Sequence, residues 1–225
     1  MKRLILAAMM ILFATTANAQ KDVTKFLGIP VDGTKAEMTQ KLKAKGFTSH
    51  PLDPEVLEGE FNGEKVNILI GTNNNRVYRI MVSDQKMRDK TDIRIRFNNL
   101  CYQFEHNGNY GFFNGDQSIP QDEDIYYEMK INDKRYEAVY YQSPVSDSTM
   151  LANTLIERLS SKYNYTVEQV AALTEEEQLK LMLDLVFDII SKKSVWFTID
   201  EYSYGKYYIS MYYDNNYNRS NGEDL

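Results

Sequence analysis

The sequence predicts an α+β fold, with helices followed by antiparallel meanders and the sheet or sheets packed by helices. Three observations carry this. Capping boxes stand at Thr34-x-x-Glu37 and Thr174-x-x-Glu177, where each side chain accepts from the other residue's backbone N–H. Apolar residues alternate with period two in Val66, Ile68, Ile70 and again in Tyr78, Ile80, Val82. Asn62-Gly63 sits between such runs and favours a tight type I′ hairpin. Strands joined by hairpins, with helices between the groups, indicate α+β and not parallel α/β.

The elements follow in order. Met1–Ala19 reads as a signal peptide: Lys2 and Arg3, a short apolar stretch, then Ala17-Asn18-Ala19 before the cleavage point. The capping box at Thr34 opens a helix over 34–45, with Met38 and Leu42 inward and Gly46 ending it. Leu57–Phe61, Lys65–Ile70 and Tyr78–Val82 form a meander, with Phe47–His50 as an optional fourth strand. A helix over 91–107 carries Ile93, Phe97, Leu100, Cys101 and Phe104 on one stripe. Residues 20–113 make a first half, and the turn-rich, acidic segment 114–124 is read as a connecting loop.

The second half, 125–213, opens with an expected hairpin. Ile125, Tyr127, Met129 and Ile131 alternate, Asn132-Asp133 turns, and Arg135–Gln142 returns. Helices follow, around Leu151–Leu159 and after Thr166. The longest runs through 175–191 and is apolar on nearly every side apart from Lys180, Asp184 and Asp188, which predicts a largely buried helix. Val195–Glu201 and Lys206–Tyr213 close the fold as a hairpin, and 214–225 reads as a disordered polar tail.

Composition excludes several classes. The formal charge of the 225 residues is −6, and losing Lys2 and Arg3 makes the chain more acidic, against a nucleic-acid partner. No later stretch has the length and apolarity of a membrane span. Gln20 occupies the position where a lipid anchor needs cysteine, so the expectation is an exported chain, periplasmic or extracellular, with no lipid anchor. The one cysteine, Cys101, forms no internal disulfide.

Motifs for catalysis are absent. The two histidines, His50 and His106, have no second ligand at metal-binding spacing, and Cys101 has no histidine placed to activate it. The expectation is no catalytic residue, no metal and no cofactor. Tyrosine is the anomaly: most of the 17 crowd into Ile125–Tyr141 and Tyr202–Tyr217. Alternation sets Tyr126, Tyr208 and Tyr212 on faces opposite the apolar set. If those faces are open, they form an aromatic platform suited to protein recognition or to stacking on sugar rings. Cross-strand packing explains the same tyrosines without any ligand. The expected function is a non-catalytic binding module for a protein or peptide. A glycan-binding module and a carboxylate-dependent hydrolase are the alternatives.

The segment Phe26-Leu27-Gly28-Ile29-Pro30-Val31-Asp32-Gly33-Thr34-Lys35-Ala36-Glu37-Met38 resembles the opening of a family of uncharacterised exported proteins of anaerobic gut bacteria. More distantly, Gly33-Thr34-Lys35 with Glu37-Met38 resembles the helix start in β-lactamase-inhibitor-like and small outer-membrane-assembly domains. That resemblance implies a non-catalytic α+β module that binds proteins through a sheet. It carries over no site residue.

Overall fold

The computed structural model describes residues 22–143 and 148–220, with the backbone alone for 148–151. The expected signal segment 1–19 and the last tail residues, 221–225, lie outside the described residues. The fold is α+β, as the alternation and capping boxes predict. The chain divides into two units: a sheet-bearing one formed by Val23–Gln142 with Lys192 onward, and a helical one at Ser143–Ser191.

In the sheet-bearing unit the strands are β1 (Lys25–Phe26), β2 (Ile29–Pro30), β3 (Thr48–Ser49), β4 (Leu57–Phe61), β5 (Glu64–Asn73), β6 (Arg76–Asp84), β7 (Tyr110–Gly111), β8 (Glu137–Gln142), β9 (Ser194–Ser203) and β10 (Lys206–Asp214). The helices are α1 (Lys35–Ala44), α2 (Lys90–Glu105) and α3 (Ile125–Ile131). β1 and β2 form a small ribbon. The other eight strands make one antiparallel sheet in the order β3-β4-β5-β6-β10-β9-β8-β7.

Local chemistry accounts for the elements read correctly. Thr34 and Glu37 close the capping box of α1. Gly46 adopts φ +100°, and Phe47 N–H bonds back to the Leu42 carbonyl. The Phe47 ring then lies over Gly59, where a Cβ would come within 2.5 Å of it, so β4 needs glycine there. Asn62 and Gly63 both take positive φ, as a type I′ turn requires.

One face of the sheet holds the core. Val66, Ile68, Ile80, Val82, Phe197, Ile199, Ile209 and Met211 meet the buried sides of α1 and α2. Phe97 of α2 meets Phe197 edge to face at 4.9 Å, and Phe104 stacks on Tyr140 at 4.7 Å. Burying each such ring stabilises by about 1.5–3 kcal/mol.

Three expectations are corrected. Residues 125–131 form helix α3, not a strand. Asp124, read as part of an acidic loop, is its N-cap and accepts from Tyr126 and Tyr127 N–H at 3.1 and 3.3 Å. The sequence leaves open whether the halves 20–113 and 125–213 share one sheet. β10 pairs with β6, so one sheet runs through both. The segment 114–124 is more than a connector: Gln117 donates to the Val139 carbonyl at 3.3 Å and accepts from Val139 N–H at 2.8 Å, acting like a strand residue beside β8. Finally, the start of the tail is ordered and packed. Asn215 is buried and donates to the Val31 carbonyl at 2.7 Å, and Asn218 donates to the Val77 carbonyl at 2.8 Å.

The helical unit contains α4 (Ser148–Tyr163), α5 (Val167–Ala171) and α6 (Glu175–Ser191). Its core is Leu159, Val170, Leu181 and Leu185. Asp188, expected to point outward, is buried and accepts from Lys162 at 2.5 Å. The expectation of a largely buried helix at 175–191 is also corrected. Leu179, Leu183, Val186 and Phe187 keep 63%, 62%, 38% and 51% of their surface exposed. The physical reason is number: α4 and α5 line one side of α6 and leave the opposite apolar stripe uncovered within the unit.

Candidate functional site

The second face of the sheet is made by the residues between the core positions. Cross-strand pairing lays them in rows. One row runs Leu69–Met81–Tyr212–Trp196–Val139, from β5 across β6, β10 and β9 to β8. Beside it, Gly71 pairs with Arg79 and Arg79 with Asp214. On the other side of the row, Tyr208 pairs with Asp200. Most of these side chains are half-buried, where those of the opposite face are buried.

Trp196 and Tyr212 stack at 4.0 Å between centroids, with 16° between planes. Arg79 braces them. Its guanidinium lies 4.8 Å from the Tyr212 centroid, 5.4 Å from Trp196 and 5.7 Å from Tyr78. The same guanidinium grips Asp214 with both forks, at 2.6 and 2.7 Å, and the Trp196 indole N–H donates to Asp214 Oδ2 at 3.0 Å. The hydrogen bond to Asp214 raises the Arg79 pKa despite partial burial. Tyr78 sits over Gly71, where a Cβ would come within 3.3 Å of the ring.

Tyr208 and Tyr212 are thus brought to one face. Burial raises the pKa of both hydroxyls, and the negative charge of Asp200 adds to it. They stay neutral near pH 7 and act as hydrogen-bonding groups, not as bases.

Tyr126 does not join them. It lies on α3, whose Ile125 enters the core of the helix-covered face. Its ring meets Tyr204 of the β9–β10 turn edge-on at 5.1 Å. The hydrogen bond with Tyr204, and secondarily desolvation, push its hydroxyl up to about 12.

The other singled-out residues have structural roles. His50 Nδ1 accepts from Leu52 N–H at 3.2 Å within a loop. His106 is the C-cap of α2, with Nδ1 2.8 Å from the Tyr102 carbonyl and its ring stacked on Tyr102 at 3.9 Å. Cys101 is buried, and burial pushes its thiol up to about 11, which keeps it protonated and poorly nucleophilic at neutral pH. Among the described residues no three His, Cys, Asp or Glu side chains gather as metal ligands, and no helix is long and apolar enough to cross a membrane.

Sequence reasoning missed Trp196, Arg79 and Asp214. The lone tryptophan, placed in alternation on a strand beside the tyrosine-rich hairpin, was the available signal. Arg79 and Asp214 are 135 residues apart, and only the β6–β10 pairing joins them. A second cluster went unread: Asp84 receives Arg88 at 2.9 Å and Arg96 at 3.2 Å, and Glu64 closes on Arg88 at 2.5 Å, with Asp84 and Arg88 both buried. It lies on the core side and is satisfied within itself.

Compared with known proteins, the chain matches no family model, no curated protein and no solved structure.

Proposed function

We propose that the protein is an exported, non-catalytic interaction module that takes a protein or peptide on the second face of its sheet. The observation that supports this is the half-exposed Trp196–Tyr212 stack, held by Arg79 and Asp214 with Tyr208 on the same face. Tryptophan, tyrosine and arginine are the residues that most often dominate protein interfaces, and bracing lowers the entropy lost on binding. Stacking turns one face of each ring against the other ring. Ring edges, hydroxyls and the guanidinium rim are therefore prominent at the surface, and they suit peptide groups better than a sugar ring that needs a broad aromatic face.

The test is capture from solubilised envelope and culture medium with residues 20–225 as bait, comparing the wild type with the double variant Trp196→Ala, Tyr212→Ala. The expected result is a near-stoichiometric protein captured by the wild type and by Tyr126→Ser, and lost by the double variant at unchanged helix and sheet content. Undiminished capture by the double variant would sink the site. Capture of nothing from either source, with binding to a glycan array instead, would replace the protein partner by a sugar.

A further inference from the structure

α6 carries two apolar stripes, and one of them has no cover within the helical unit. Leu181 and Leu185 face α4 and α5. On the other side Leu179, Leu183 and Val186 follow a spacing of four and three residues, continued four further on by half-buried Ile190. This is the spacing of a helix-pairing seam, widened on one side by exposed Phe187, four residues after Leu183. We propose that the seam is the interface of a two-fold dimer, in which α6 of one copy packs antiparallel on α6 of a second.

The helical unit itself calls for such a partner. It has about fifty residues, and units of that size rarely bury enough to stand without a disulfide, a metal or oligomerisation. It contains no cysteine. Its core is four buried side chains, with partly buried neighbours such as Leu155 and Met182.

Charge selects a second copy and its direction. Lys180 and Asp184, both exposed, lie on one flank of the seam, four residues apart. A two-fold axis between them sets Lys180 of each chain opposite Asp184 of the other, whereas in a parallel pair the two copies of that flank lie on opposite sides of the seam. Antiparallel helix dipoles also oppose favourably. An anionic lipid surface is disfavoured, because the acidic first turn, Glu175-Glu176-Glu177, and Asp184 outnumber Lys180 beside the seam. Symmetric self-complementarity is what an isologous interface requires.

Sedimentation equilibrium of residues 20–225 tests this. The wild type is expected to dimerise at micromolar concentration, and Leu183→Glu to be monomeric. Lys180→Asp and Asp184→Lys, each a surface change that leaves the fold alone, should each weaken the dimer about tenfold by placing like charges across the axis. An equimolar mixture of the two should restore wild-type association, because each chain then supplies the charge the other lacks. A monomeric wild type, a dimer indifferent to Leu183→Glu, or single charge variants that do not recover on mixing would each overturn the proposal. A wild type that stays monomeric and floats with vesicles assigns the seam to lipid instead. The sheet-face reading is read out by capture and not by mass, so the two stand or fall separately.

Discussion

Three ion pairs on the sheet-bearing unit show how burial sets the worth of a residue. Asp84 holds two arginines in the interior, and Arg88 is itself fixed by reciprocal backbone bonds to Tyr207 at 2.8 and 2.9 Å. Arg76 and Asp32 pair at 3.3 Å near the surface, with Arg76 largely exposed. Asp84→Ala strands two buried or half-buried guanidinium groups and is expected to cost about 3–5 kcal/mol. Arg76→Ala is expected to cost under about 1 kcal/mol, since water screens that pair. Urea denaturation of the two variants checks both figures. A change of similar size in both would mean that Asp84 is better solvated than its packing implies.

At the level of elements, the helical unit enters the chain between two strands that are already neighbours. β8 and β9 pair directly, and Gln142 N–H bonds the Lys193 carbonyl at 3.0 Å where they begin to diverge. Replacing Ser143–Ser191 by a short Gly/Ser turn is therefore expected to leave the sheet and its cooperative unfolding intact. Near-ultraviolet circular dichroism, which reports Trp196 and the packed tyrosines, should keep its shape; loss of that signal would show that the sheet depends on the insert. Elements with local signals were legible in the sequence. α1 declares itself through its capping box and Gly46, and the β4–β5 turn through Asn62-Gly63. The sequence reads α3 as a strand because Ile125, Tyr127, Met129 and Ile131 satisfy that period, while the cap at Asp124 and the Ile125–Met129 spacing satisfy the helix. The cap decided it, because β8 finds its partner in β9 and leaves 125–131 no strand to join. The candidate site was legible only as Tyr208 and Tyr212. Trp196, Arg79 and Asp214 reach them through strand order, which no local pattern encodes.

For the molecule as a whole, the tyrosines predict an alkaline limit. Burial raises the pKa of Tyr110, Tyr136, Tyr140, Tyr207, Tyr208, Tyr212 and Tyr213 above the ordinary tyrosine value of about 10. The unfolded chain ionises first. The stability these groups contribute is therefore complete below pH 10 and is lost as pH rises toward and through their folded values. The urea midpoint should hold steady between neutrality and about pH 9 and fall steeply by about pH 11. Tyrosinate absorption should appear together with unfolding and not ahead of it; early, non-cooperative ionisation would show the rings to be more open than their packing.

Strand order also imposes a timetable. β9 and β10 are the last strands to be synthesised, yet they sit between β6 and β8 in the middle of the sheet. A nascent chain can assemble β3–β6 as one fragment and hold β8 ready as another, but no strand joins them in one sheet until the final stretch emerges. Losing the C-terminal hairpin removes the keystone and not an edge. The sheet can therefore close only after its centre has been made, so a chain interrupted before β9 is left with two partial sheets and no shared middle.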